Sequence, residues 1–311
     1  MNNTAKTMKL SIIIVSWNTK GLLADCLASV YKHPPVYDFE VWVVDNASDD
    51  GSAQMVERDF PQVQLIRNRK NLGFARANNM AMQVSDGRYI LLLNPDTVVK
   101  PGALSALVQF MDDNPQAGGA GSLLLNPDET LQPSCHPLPT LSRELWRLFH
   151  LDKLHPYGVY HMADWDTAVP HQADIIQGAS FILRREALVE VGLLDDSYFM
   201  YSEEVDLCYR LKKAGWPLYW VPQSRVIHYG GQSTKLVASD MFIELYRGKL
   251  HYFRKNYGPA TAFGYKIILA TATLPRLTLF GLAFLQKPPK RDEQISLAQN
   301  YGRLITTLPT M

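Results

Sequence analysis

"LLLNPDTVV", residues 91–99, sets the first question. With Tyr89 and Ile90 before them, the leucines form a run apolar enough to be covered on both faces of a sheet. The run then breaks into Asn94, Pro95 and Asp96 before apolar residues resume. A strand of that kind belongs to a sheet with helices on either side, and its polar end marks where the chain leaves the core.

The segments upstream repeat the arrangement. "KLSIIIVSW", "FEVWVVD" and "VQLIRN" read as strands, and "GLLADCLASVYKH", "GSAQMVERDF" and "GFARANNMAMQV" carry helical spacing. Strands alternating with helices imply a parallel sheet with crossover connections. Ligands of such sheets bind beyond the carboxyl ends of the strands. Each strand has a polar exit there: Ser16–Trp17–Asn18, Asp45 to Ser48, Asn68 to Asn71, and Asn94–Pro95–Asp96.

The second half is less regular. "GGAGSLLLNPDET" reads as a strand and turn, and residues 126–173, rich in Pro, His and Trp, as an irregular, acceptor-sized insertion. "DIIQGASFILRREAL" reads as a strand entering a helix. "SEEVDLCYRLKKAGW" reads as a helix with Ser202 as N-cap and Gly215 as C-cap. "LYWVP" and "RVIHY" read as two short strands. We expect a loose tail over residues 1–8, a domain over 9–240 (halves at 9–100 and 101–240) and a helical extension over 241–311.

The 311 residues are 47% apolar and carry a net charge of +1, which gives no argument for nucleic acid. Charge is uneven, however: residues 241–311 hold ten Lys or Arg against three Asp or Glu, leaving an acidic body with a basic tail. Cys26, Cys135 and Cys208 are too scattered for a zinc site or a redox dithiol and read as reduced thiols of a cytosolic protein. The N-terminus has no apolar signal core. "FGYKIILATATLPRLTLFGLAFL", residues 263–285, is strongly apolar but interrupted by Lys266, Pro275 and Arg276, and "KPPKR" follows. It reads as two half-length apolar pieces. We expect a helix pair lying in a membrane interface with its basic residues on anionic headgroups; packing on the body is the alternative.

Asp96, at the carboxyl end of a strand, can ligate Mg²⁺ or Mn²⁺ and leave other positions for phosphate oxygens. Asn94 can hydrogen-bond the same ligand, although Asn-Pro-Asp is also good turn chemistry. Asp45 can take the donors of a base or ribose, or sit in an Asx-rich turn. Arg67, Arg69, Lys70 and Arg76 fall near the same edge. Glu203, Glu204 and Asp206 suit the start of a helix dipole. Residues advance by about 100° along a helix, so Glu203 and Asp206 share a face and Glu204 points elsewhere. A carboxylate there could deprotonate an attacking hydroxyl. In "VIHYGGQSTK", His228 precedes two glycines, Ser233 and Thr234; the imidazole could ligate a metal or touch a phosphate.

"SIIIVSWN", "VVDNASDDGS", "NRKNLGFARANN", "LLLNPDT", "GASFILRREAL", "GLLDDSYFMYSEEVDLCYRLKKAGW" and "IHYGGQST" occur in this order over about residues 9–235. As an ordered set they resemble the glycosyltransferase family two enzymes of GT-A fold, most closely their bacterial rhamnosyltransferase-like branch. The resemblance implies an α/β fold with a Rossmann-like, mostly parallel central sheet. The family's Asp-x-Asp metal motif stands here as Asn94-Pro95-Asp96, without its first carboxylate, and its Glu-Asp pair as Glu203-Glu204. The resemblance therefore implies Glu204 as catalytic base beside Glu203. It also implies Asp96 with His228 as ligands of Mg²⁺ or Mn²⁺, His228 touching metal or diphosphate, and Asp45 on the base or ribose.

The candidate donor-binding set is Ser16, Asn18, Asp45, Asn46, Asn71, Gly73, Arg76 and Asn94; the candidate acceptor set is Gly178, Ala179 and Asp206. The implied reaction is inverting transfer of a sugar, with dTDP-rhamnose as expected donor and another UDP or dTDP sugar as alternative. The expected acceptor is a lipid-linked glycan at the cytoplasmic membrane face, in cell-surface polysaccharide synthesis. A homo-oligomer is left open. A nucleotidyltransferase would usually carry a Gly-rich loop where "SWNTKGLL" has one glycine; a non-catalytic sugar-binding protein would not need Asp96, Glu204 and His228.

Overall fold

The computed structural model describes residues 9–231, 238–278 and 290–311. The expected tail over residues 1–8, Ser233 and Thr234 after the double glycine, and much of the second apolar piece of residues 263–285 lie outside the described residues.

The chain divides into two compact units. The first opens with the expected alternation: β1 (Leu10–Ser16), α1 (Lys20–Lys32), β2 (Phe39–Asp45), α2 (Ser52–Asp59), β3 (Gln64–Arg67), α3 (Phe74–Val84) and β4 (Tyr89–Leu93). These four strands pair in parallel, in the order β3-β2-β1-β4. β1 and β4 are buried almost throughout, as their apolar runs require. Ile12, Ile14, Val41, Val43, Leu91 and Leu93, alternate residues of three strands, cluster with Leu23 and Leu27 of α1. Parallel pairing brings the strands out at one edge: Ser16 is in register with Asp45, and Asp45 with Arg67.

The rest of the sheet is mixed. β5 (Thr97–Val99), α4 (Ala103–Asp113), β6 (Gly119–Leu125), β7 (Leu131–Gln132) and β8 (Cys135–His136) lead into β9 (His171–Ala173), β10 (Ile175–Ile176) and β11 (Ser180–Arg184). α6 (Arg185–Val191), α7 (Glu203–Lys213) and β12 (Leu218–His228) complete the unit. β11 lies between β4 and β6 and is antiparallel to both. β12 runs parallel to β6 and antiparallel to β5.

The two short strands expected at "LYWVP" and "RVIHY" are one eleven-residue strand, β12. Its register against β6 shifts between Val221 and Arg225. Pro222 has no N–H to give a ladder, and an irregularity there lets the strand continue past it. Gly215, at φ +85°, closes α7 as expected, with the Trp216 N–H donating back to Leu211 O. Ser202 precedes α7 but is left-handed (φ +71°) rather than in the extended conformation usual for an N-cap.

The second unit collects residues 139–160, 200–202 and the helices α8 (Ala238–Tyr257), α9 (Pro259–Thr278) and α10 (Lys290–Thr307). Part of the segment read as irregular insertion is therefore helical: α5 (Leu141–Leu148) packs against α9. A buried carboxylate joins three of these helices. Both oxygens of Glu144, on α5, lie 2.9 Å from Lys249 Nζ on α8, and Arg147 Nη2 and the Tyr265 hydroxyl of α9 donate to Glu144 Oε2 at 2.7 and 3.1 Å. Burial opposes the charge, but Lys249 and Arg147 outweigh it and hold Glu144 down at about 2. Lys249 is itself lowered by desolvation in spite of Glu144.

The break expected at Pro275 is absent, because α9 runs unbroken through it to Thr278. Proline has no N–H to give the Thr271 carbonyl, so α9 passes it with one hydrogen bond fewer. The next residue, Arg276, donates to Ala272 O and to Leu148 O, holding the last turn to α5. Among the described residues no helix is long and apolar enough to cross a membrane.

Candidate active site

Asp96 and His228 meet because β5 and β12 pair: His228 is opposite Thr97, and the Tyr229 N–H donates to Asp96 O at 2.9 Å. His228 Nε2 lies 3.4 Å from Asp96 Oδ1, both side chains being buried. The Asn94-Pro95-Asp96 turn is fixed from below. Thr97 Oγ1 donates to Asn94 O (2.7 Å), the Cys26 thiol approaches the same carbonyl (3.6 Å), and the Asn94 N–H donates to Ala179 O (3.0 Å). Burial pushes the Cys26 thiol up to about 12, so it stays protonated and able to donate.

A carboxylate oxygen and an imidazole nitrogen on one side fit a divalent cation that takes its remaining ligands from phosphate and water. Among the described residues there is no group of three or more His, Cys, Asp or Glu side chains that would enclose a metal. The donor set thus suits an ion shared with a substrate diphosphate better than a closed structural site.

Asp45 lies further along the same edge, nearly fully buried. Its Oδ2 accepts from the Ser48 N–H at 3.2 Å, while its buried Oδ1 has no hydrogen-bond partner among the described residues. An unpaired buried carboxylate oxygen costs stability, and a ligand donor from a base or ribose would satisfy it. Arg76 is exposed on the first turn of α3, and Arg69 and Lys70 are exposed on the loop before it.

Other members of the donor set build the edge instead. The carboxamide of Asn46 is consumed: its oxygen accepts from Leu72 N (2.9 Å) and Asn68 Nδ2 (3.1 Å), and its nitrogen donates to Asn71 Oδ1 (2.8 Å) and Gly73 O (3.2 Å). It pins the loop 68–73 and has nothing left for a donor. Asn71 Oδ1 also accepts from the Gly73 N–H (2.9 Å). Gly73, at φ +80°, lies against Phe199 O, which a Cβ would meet at 2.2 Å. Ser16 is fully buried, with its hydroxyl on Thr19 Oγ1. Asn18 joins two loops, its oxygen accepting from Asp49 N and its N–H donating to Ser48 Oγ.

α7 carries the acids. Glu203 is buried with Oε2 unpaired; burial first, then the neighbouring Glu204 carboxylate, raise its carboxyl well above the usual range. The neighbouring Glu204 is half-exposed. A carboxylate at this position could act as a base.

Asp206, expected to bind acceptor, is turned wholly inward. It accepts from Arg210 Nε at 2.7 Å, and the rest of that guanidinium donates to Val191 O, Gly192 O and Leu193 O after α6. Its role is structural. Ala179 is also buried and serves through its carbonyl; Gly178, half-buried, faces the Phe74 ring.

One residue of this corner carried no sequence signal. Gln132, from the two-residue β7, accepts from His228 Nδ1 at 2.6 Å.

A family model described as "Glycosyl transferase family 2" matches residues 11–191. The chain belongs to glycosyl transferase family 2. The matched span holds the donor edge and Asp96 and stops short of Glu203, Glu204 and His228. Among its relatives, the N-acetylglucosaminyl-diphospho-decaprenol L-rhamnosyltransferase of Mycobacterium tuberculosis is 32% identical over 248 residues, covering 72% of this chain and 77% of that protein. Rhamnosyltransferase WbbL of Escherichia coli is 29% identical over 181 residues, covering 55% and 66%. Among solved structures, the mannosyltransferase PcManGT of Pyrobaculum calidifontis, in complex with GDP-Man and Mn²⁺, aligns with a TM-score of 0.56 at 16% identity, covering 98% of this family 2 chain and 88% of that one. At that identity the likeness carries the fold alone.

Proposed function

We propose that this chain is an inverting, metal-dependent rhamnosyltransferase that moves the sugar of dTDP-rhamnose onto a lipid-linked glycan in cell-surface polysaccharide synthesis. The observation that carries it is the pairing of Asp96 with His228 at the sheet edge that also holds the unpaired oxygen of Asp45. The two relatives named above, both rhamnosyltransferases and one named for a decaprenol-linked acceptor, supply the sugar and acceptor class.

In this reading Asp45, Arg76 and Asn94 bind and orient the nucleotide sugar. Asn46, Asn71 and Gly73 keep the loop 68–73 in place. Asp96 and His228 would hold Mg²⁺ or Mn²⁺; when bound, that cation supplies positive charge to the leaving nucleoside diphosphate. Glu204 takes the proton of the acceptor hydroxyl as its oxygen bonds to the anomeric carbon and the bond to the diphosphate oxygen breaks. One displacement inverts the configuration and needs one base.

We assign sugar transfer to residues 9–240 and attachment to the inner face of the membrane to residues 241–311. The solvent face of α9 supports attachment. Phe263, Ile267 and Leu274 are 65%, 53% and 56% exposed, with Ala260, Thr271 and Pro275 beside them and no charge among them. An apolar helix face of this kind, in a basic region, suits an anionic lipid surface.

The test is transfer from dTDP-rhamnose to a polyprenyl diphosphate-linked N-acetylglucosamine, with and without Mn²⁺ or Mg²⁺, beside a panel of other nucleotide sugars. We expect metal-dependent transfer with inversion. Transfer from a different sugar nucleotide would overturn the donor assignment, and transfer undiminished by chelation would overturn the metal.

A further inference from the structure

We infer that Gln132 is a positioning residue, which fixes His228 in the tautomer that bears its proton on Nδ1 and so leaves the Nε2 lone pair facing Asp96. The inference rests on the reading that Asp96 and His228 bind a divalent cation.

A chain of hydrogen bonds with one consistent direction carries it. Asn126 Nδ2 donates to Leu131 O (3.4 Å) and to Thr130 Oγ1 (2.9 Å). A main-chain carbonyl can only accept, so the amide nitrogen of Asn126 faces that way and its oxygen faces Gln132. Gln132 Nε2 then donates to Asn126 Oδ1 (3.0 Å) and to His228 O (3.1 Å), both acceptors. That orientation turns Gln132 Oε1 onto His228 Nδ1, at 2.6 Å. An amide oxygen offers only lone pairs, so Nδ1 must carry hydrogen, and in a neutral imidazole Nε2 must not.

The other end of the ring agrees. Nε2 lies 3.3 Å from Asn94 Nδ2, a donor, and 3.4 Å from Asp96 Oδ1. A lone pair and a carboxylate oxygen facing each other repel unless something positive stands with them. Metal-bound histidines are commonly held in this way, by a bond from the remote ring nitrogen to an acceptor. β7, paired with β6 through Leu124 and Gln132, supplies that acceptor from a strand of two residues.

The experiment uses the full chain with imidazole nitrogens labelled. In the metal-free protein, at a pH where imidazole is neutral, long-range proton–nitrogen spectra should give His228 the Nδ1–H pattern. Gln132→Met keeps the bulk but removes the acceptor, and should convert His228 to the Nε2–H form or a mixture. Affinity for Mn²⁺ alone, followed by water proton relaxation, should fall by about 10- to 100-fold in that variant, the usual effect of losing such a partner. An Nε2–H tautomer in the wild-type protein overturns the inference without any variant, and so does a folded Gln132→Met protein with unaltered Mn²⁺ affinity. His228→Ala separates the two layers: if it binds Mn²⁺ as tightly as wild type, the metal reading fails, while the tautomer measurement still stands for Gln132.

Discussion

Glu203 and Glu204 are consecutive on the first turn of α7, yet Glu203 is buried while Glu204 is half-exposed, and burial with the Glu204 carboxylate beside it raises the Glu203 carboxyl. Glu204→Gln keeps size and hydrogen bonding but removes basicity. Transfer should fall by about 10²-fold or more, with donor affinity unchanged, since the base acts on the acceptor. Kinetics and calorimetry on the same preparation check both. An active Glu204→Gln beside a dead Glu203→Gln would reverse the assignment.

The same pair makes stability depend on pH. Glu203 has a carboxyl raised above its ordinary 4.5 in the folded chain. Below that value both states are protonated and nothing is lost. As pH rises through it the unfolded chain ionises first, so the fold loses stability until the raised value is reached. Glu203→Gln should therefore be more stable than wild type at pH 7, with the gap closing below about pH 4.5. Denaturant midpoints at a series of pH values read this directly.

Glu144 has the opposite sign. Its carboxyl is lowered from 4.5 to about 2, so its contribution is complete above pH 4.5 and drains away as pH falls toward 2. At about 1.4 kcal/mol per unit, up to roughly 3 kcal/mol is at stake, less what the desolvated Lys249 takes back. Glu144→Gln should flatten the acid limb, and Lys249→Met alone should cost about 3 to 5 kcal/mol by leaving a buried carboxylate without its main partner. Helical circular dichroism against pH and denaturant measures both.

Asp96→Asn should abolish metal-dependent nucleotide affinity while leaving the fold intact. Calorimetry with dTDP, with and without Mn²⁺, decides it; metal-sensitive affinity equal to wild type would remove Asp96 from the site.

Phe263→Ser, Ile267→Ser and Leu274→Ser together should lower co-sedimentation with anionic vesicles, without changing donor affinity, because all three side chains are exposed. Equal sedimentation of variant and wild type would leave the attachment without its surface.

β1, β2 and β4 were legible because each is a largely apolar run with a polar exit, and β3, with only Leu65 and Ile66, from its place in the alternation. The partners of β11 were not, because insertion between β4 and β6 is a choice made across the sheet and leaves no local trace. Pro222 and Pro275 both read as breaks, yet β12 absorbs one in a register shift and α9 passes the other with one hydrogen bond fewer. Residue type singled out Asp45, Asp96, Glu204 and His228 as candidates. It could not tell Asn46, which spends its whole carboxamide on a loop, or Asp206, which spends its charge on Arg210, from residues with valences to spare. Nor could it find Gln132, whose meaning depends on β7 meeting β12's last residue.

Cys26 lies beneath the turn that carries Asp96, with its thiol on Asn94 O and near Thr97 Oγ1. A maleimide reaches that buried sulfur only when the structure over it opens. Its labelling rate, read by mass spectrometry on one peptide, is therefore a clock for the opening of the Asn94-Pro95-Asp96 turn. Buried Cys135 and Cys208 time the opening of other parts of the same unit. A nucleotide sugar that seats on Asp96 should slow the Cys26 clock more than the other two.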